Sequence, residues 1–265
     1  MAPSSKWIVE YQDDGCALIR SFGEGVDQST LRMSRFGPSA RFRFAIGGKP
    51  IRPALDNRKA SVQFGAYEKS QTLEYLPGSL GKEVPALVFL GGVSFFEMAA
   101  DKEEGFVQKP VPEIDPARLE AITFITLAKP LRRPVTFVTG PMKKPMEALS
   151  KCIDNLMTAW GIDAEKHRNL KNFVTPKEEP GRWLRSSDYP IKMLNEGQPA
   201  LVEFRLMVDE IGKVTGCHIQ ETTRPKEFDK AVCSGLQKRA AFAPAVDASG
   251  NPVKSFWRSR VRFQL

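Results

Sequence analysis

Alternation of apolar with polar residues, the mark of a strand half-buried on one face, recurs through the first hundred positions of the chain. Trp7-Ile-Val-Glu-Tyr11 and Cys16-Ala-Leu-Ile-Arg20 flank the turn sequence Asp13-Asp14-Gly15, so a hairpin is expected there. Thr30–Arg35 alternates as well. Arg41-Phe-Arg-Phe-Ala-Ile46 alternates arginine with phenylalanine until Gly47-Gly-Lys-Pro50 stops it, which predicts arginines along an exposed sheet face. Ser61–Gly65, Pro85–Leu90 and Leu119–Leu127 are further predicted strands, and the acidic, proline-bearing Asp101–Pro116 is a predicted loop.

The period then changes. Met146, Leu149, Ile153, Leu156 and Trp160 recur at three or four, which predicts an amphipathic helix packed on the sheet, with Pro145 in its first turn and Gly161 as its stop. Its Met and Trp stripe reads as core packing in preference to a cofactor box. Residues 167–188 are polar and basic and read as a linker, with Trp183 and Leu184 available to dock it. Beyond it, Val202, Phe204, Leu206 and Val208 alternate with Glu203, Arg205 and Met207. Asp209–Gly212 is a hairpin turn, and Lys213–Glu221 returns with Thr215, Cys217 and Ile219 on one face.

Pro225 opens a second helix, with Phe228, Val232, Leu236 and Ala240 at every fourth position and Cys233 on the flank of that stripe. In the last strand Trp257, Ser259, Val261, Phe263 and Leu265 share one face; Arg258, Arg260, Arg262 and Gln264 share the other. The expected fold class is therefore α+β: a β-rich N-terminal domain with an amphipathic helix (1–166), a linker (167–188) and a small ββαβ C-terminal domain (189–265).

At 265 residues and 42% hydrophobic content, the chain can bury substantial cores. Of its formal net charge of +8, +6 lies after Lys166. That excess suits an acidic partner, an anionic envelope surface or nucleic acid, and equally a merely solvated basic surface. The longest apolar candidate, Val84–Met98, is broken by Pro85, Gly91, Gly92 and Glu97, so no transmembrane segment is expected. The opening MAPSSKWIVEYQDDGC has no apolar stretch of the signal-peptide kind, which fits either a cytoplasmic protein or an exported domain whose signal has been removed.

Four cysteines, Cys16, Cys152, Cys217 and Cys233, form no CxxC pair, and His167 and His218 are the only histidines, so no metal site is expected. Two disulfides and four buried thiols both remain open at this level. A sheet-facing Cys217 and a helix-flank Cys233 are what a cross-link between hairpin and helix would require.

Catalytic patterns are weak. Ser79-Leu-Gly-Lys82 fits SxxK but lies between LPG and EVP, where a loop is expected and not the helix start its chemistry needs. Asp13-Asp14 and Glu103-Glu104 are adjacent carboxylates of the solvated kind, two histidines supply no Ser-His-Asp arrangement, and no glycine-rich phosphate loop follows a strand. No catalytic residue and no cofactor are expected. Arginines interleave with aromatics at Arg41–Phe44 and Phe256–Phe263, but alternation puts the two types on opposite faces and removes the rings from base stacking, so no nucleic-acid partner is expected.

The order Tyr189-Pro190, Glu196-Gly197, an alternating strand into Val208–Val214, a helix, FAPAVDASGNPV (Phe242–Val253) and a last strand ending Val261-Arg-Phe-Gln-Leu265 resembles the C-terminal domain of TonB energy transducers. Members of the wider TonB-like set carry one cysteine in the second strand and one in the helix, as Cys217 and Cys233 do. Trp7…Phe22-Gly23 and Leu149–Asp163 resemble the companion module of such envelope proteins, and a Cys16–Cys152 pairing is inferred beside that resemblance.

The resemblance implies a periplasmic, non-catalytic binding or scaffolding protein with its signal peptide removed and its cysteines in disulfides. It implies recognition of an envelope protein or extended peptide, an outer-membrane receptor among the candidates, by strand addition along a sheet edge. Arg258, Arg260 and Arg262 would present a basic ladder there, or serve only to blunt an edge against aggregation. A TonB-type transducer or uptake accessory is the alternative; a transducer also has a membrane anchor and a proline-rich spacer, which this sequence lacks. A hydrolase in the N-terminal domain is the second alternative, and the oligomeric state stays open.

Overall fold

A computed structural model describes residues 1–51, 58–80, 84–97, 110–112, 114–222 and 226–265. Lys82 of the SxxK motif, the Glu103-Glu104 pair, most of the predicted 101–116 loop, and Pro225 lie outside the described residues. The chain divides into two compact units, one formed by Met1–Ala100 with Val111–Leu156, the other built on Met157–Leu265.

In the first unit nine described strands form one antiparallel sheet: β1 (Ile8–Tyr11), β2 (Cys16–Phe22), β3 (Ser29–Arg35), β4 (Arg43–Gly48), β5 (Lys59–Phe64), β6 (Gln71–Leu80), β7 (Val84–Phe89), β8 (Phe124–Leu127) and β9 (Val135–Val138). Their spatial order is β1-β2-β3-β4-β7-β6-β5-β8-β9. The sheet curls until its two ends meet. Ser4 N–H donates to the Ser21 carbonyl and Gly23 N–H to that of Ala2, while Val138 N–H on β9 donates to the carbonyl of Met1. Phe22 on β2 then meets Phe137 on β9 edge to face at 5.3 Å. Residues 1–4 thus seam the sheet around a core of Phe22, Phe42, Phe44, Phe64, Tyr75, Phe89, Phe95 and Phe137.

Helix α1 spans Pro116–Ala121 and α2 spans Lys143–Ala159. Met146, Leu149, Ile153 and Leu156 of α2 are buried, as the spacing predicts. Trp160 departs from the prediction: it follows the helix end and packs in the second unit. The predicted strand Leu119–Leu127 is instead the end of α1 followed by β8. Pro116 and the Asp115 carboxylate, which accepts from Ala117 N–H, start a helical turn that consumes Leu119–Ala121.

β6 and β9 carry no clear alternation, and β6 contains Pro77 and Gly78, so neither was legible in the sequence. Arg41 and Arg43 are half-buried, not exposed as expected. Arg41 Nη1 donates to the Gly92 carbonyl at 3.0 Å, and the Arg43 guanidinium lies 5.3 Å over the Phe36 ring. Arg35 is buried beneath α2, bonded to Ser150 Oγ, and burial draws its pKa down to about 10.

The second unit contains α3 (Ala164–Arg168), β10 (Thr175–Pro176), α4 (Ile191–Asn195), β11 (Ala200–Val208), β12 (Val214–Thr222), α5 (Lys226–Arg239), β13 (Phe242–Ala243), β14 (Ala245–Val246), β15 (Pro252–Val253) and β16 (Ser255–Phe263). Its sheet is antiparallel in the order β12-β11-β16, with small pairs β10-β13 and β14-β15 beside it. Phe228, Val232 and Leu236 of α5 are buried with Val202, Phe204, Leu206, Trp257 and Phe263 of the sheet.

The stretch read as a linker belongs to this core. Leu170, Val174 and Trp183 are buried in it, and Trp183 meets the rings of Phe242 and Trp257 at 5.1 and 5.4 Å. At the hairpin turn, Gly212 has φ +85°, and a Cβ there would fall 1.9 Å from the Phe242 carbonyl oxygen, so only glycine fits. The Asp209 carboxylate closes the same turn by accepting from Ile211 and Lys213 N–H.

Candidate functional site

β16 is an edge strand. Its nine residues pair without interruption with β11, from Ser255 opposite Val208 to Phe263 opposite Ala200, and no described strand pairs on its other side. An edge of that length presents a row of backbone donors and acceptors that another extended chain can satisfy. Side-chain alternation follows the sequence: Trp257 and Phe263 are buried towards α5, and Val261 packs partly against the same core.

The three arginines of the opposite face are not equivalent. Arg258 is half-buried, and its Nε donates to Gln220 Oε1 on β12 at 2.7 Å, reaching across β11. Arg260 is exposed and stands in register with Glu203; Arg262 is exposed and stands in register with Leu201. The accessible charge is thus concentrated toward the end of β16 nearest Leu265.

Phe256 lies on that same face, and it is buried. Trp160 meets it at 5.6 Å, and His167 stacks on it at 5.0 Å with the rings 7° from parallel. Arg205, on the central strand, is 1% exposed, its guanidinium 3.4 Å from the Trp160 ring centroid in a cation–π contact. Burial, with a smaller contribution from Arg168, pushes the His167 pKa down to about 4, so the imidazole is neutral at neutral pH. One end of this sheet face is covered by Trp160 and His167; the end bearing Arg260 and Arg262 is exposed. Local periodicity carries no signal for the closed end, because Trp160 and His167 meet partners on strands far along the chain.

Cys217 on β12 is bonded to Cys233 on α5, with Cα atoms 5.5 Å apart, and Cys16 on β2 is bonded to Cys152 on α2, at 6.2 Å. Ser79 stands in β6 and not in a loop, because the segment pairs with β7 through Pro85 and Val84. His167 is buried, and His218 stands opposite Arg205 in the β11–β12 register. Among the described residues no group of three or more His, Cys, Asp or Glu side chains could hold a metal ion, and no helix is long and apolar enough to cross a membrane.

Residues 185–265 match the Gram-negative bacterial TonB protein C-terminal family. This segment is TonB C-terminal-like. No curated protein matches the chain. The TonB C-terminal family is non-catalytic, and its domains interact with envelope proteins or receptors. The match starts at Arg185 and leaves out Trp160, His167 and Trp183, which the structure packs into the same unit as the TonB-like sheet.

Proposed function

We propose that the protein is a non-catalytic binding or scaffolding component of the Gram-negative periplasm, and that its TonB-like domain takes up an extended segment of an envelope protein by strand addition along β16. The observation that carries this reading is the open nine-residue edge, continuous in register with β11. Backbone hydrogen bonds to the added strand supply affinity, and alternate side chains supply register. Arg260 and Arg262, exposed beside this edge, favour a segment bearing carboxylates. The two disulfides support residence in an oxidising compartment.

The test is a photo-crosslinking amino acid at Arg262, with a control at Ile211, which is 76% exposed at the hairpin tip. In intact envelopes the Arg262 probe is expected to capture a discrete envelope protein and the Ile211 probe none. Absence of an adduct at Arg262, or the same adduct from both positions, refutes edge recognition. An adduct with an outer-membrane receptor would assign the protein to uptake; one with an assembly component would assign it to scaffolding.

A further inference from the structure

The two disulfides differ in access. Cys16 and Cys152 are 0% exposed, whereas Cys217 and Cys233 are both partly exposed. Disulfide exchange begins when a thiolate reaches one of the sulfurs, so this difference separates the bridges chemically.

They also differ in what else holds the elements they join. Among the described strands β12 pairs with β11 alone, and that pairing is broken by register shifts at Glu203/Phe204 and at Met207/Val208, near both ends. α5 is anchored independently of sulfur. Arg239 donates to the Trp183 carbonyl and pairs with Asp188, and Leu184 lies so close over Gly235 that a Cβ there would fall 2.5 Å from its Cδ2. Phe228 of α5 packs on Phe263 at 4.9 Å. Loss of the bridge would leave α5 docked and remove a tie from β12.

We propose that Cys217–Cys233 is a redox-addressable latch: an external dithiol opens it while Cys16–Cys152 stays closed, and its opening releases the edge strand β12 from β11. A thiolate of the dithiol attacks one sulfur, forms a mixed disulfide and expels the other sulfur as a thiolate. The second thiol of the reductant then displaces the first protein sulfur. The protein gains two electrons and two protons as two thiols, and the reductant leaves as a disulfide. The consequence is a loosened β12 on an intact β11–β16 pair. This latch is independent of strand addition at β16.

Graded dithiothreitol under native conditions, read by alkylation and peptide mass, tests the first half; amide hydrogen exchange tests the second. Cys217 and Cys233 are expected to alkylate at a dithiothreitol concentration at least about tenfold below that needed for Cys16 and Cys152. Exchange over residues 214–222 is expected to accelerate at least about tenfold, with residues 255–263 unchanged. Four thiols appearing together, or Cys217 and Cys233 staying closed until the protein unfolds, would overturn the proposal, as would selective reduction without faster exchange in 214–222. The double variant Cys217→Ser, Cys233→Ser should reproduce the reduced exchange pattern without dithiol; the reduction series on the unaltered protein decides even if that variant does not fold.

Discussion

The two sheets treat their edges in opposite ways. The first unit brings both ends of a nine-stranded sheet together through residues 1–4 and pins α2 to β2 with a disulfide sealed from solvent. The TonB-like sheet has three described strands, an uninterrupted edge at β16 and a bridge within reach of solvent. Sealing edges builds a stable body and removes sites for strand pairing; leaving one open keeps a surface ready for another chain. On the function proposed above, recognition belongs to the second unit, whose edge is open, and not to the first.

The sharpest way to break this contrast is through the bridges. Cys16 and Cys152 are 136 residues apart and Cys217 and Cys233 are 16 apart. Constraint of the unfolded chain therefore predicts losses of about 5 kcal/mol for Cys16→Ala with Cys152→Ala, against about 3 kcal/mol for Cys217→Ala with Cys233→Ala. Denaturant unfolding of each double variant measures both, and equal losses would remove the distinction.

Protonation of His167 probes the closed end of the TonB-like face. Its pKa is about 4 in the folded protein, against 6.5 for a histidine free of such burial, as in the unfolded chain. Well above pH 6.5 the imidazole is neutral in both states and has no effect. As pH falls from 6.5 to 4 the unfolded chain takes up the proton and the folded chain resists, so stability is lost, on the order of 3 kcal/mol. Unfolding midpoints across that range should show the loss, and His167→Phe, which keeps an aromatic ring available to stack on Phe256, should flatten it.

Trp160→Ala removes the ring over Arg205 and beside Phe256. A cost of about 2–3 kcal/mol follows from lost packing and an uncovered guanidinium, with faster amide exchange expected over 200–208. The smallest effect belongs to Arg262→Ala at the open edge. Stability should change by less than about 0.5 kcal/mol, while capture of a partner by a crosslinker at neighbouring Gln264 should weaken. A large stability loss there would show that Arg262 supports the fold more than it faces a partner.

Legibility followed the range of the interactions. The hairpin at Asp13–Gly15, the α2 stripe, and the β11, β12, α5 and β16 patterns were readable because burial of one face writes a period of two or 3.6 into the residues themselves. Leu119–Ala121 misled because a capped turn overrode a run that also suits a strand. Residues 167–188 misled because their composition is polar, while the few apolar residues among them reach a core assembled from distant strands.

Of the candidate site, the sequence by itself determined which residues of the last strand alternate, and so which three arginines share a face. That is a property of the pleat. Only the tertiary structure decided that β16 is an edge, that Arg258 turns to Gln220, that Phe256 on the arginine face is covered by Trp160 and His167, and that Cys16 meets Cys152. Each of these depends on which segments, far apart along the chain, come to lie side by side, and periodicity within a segment carries no record of its neighbours.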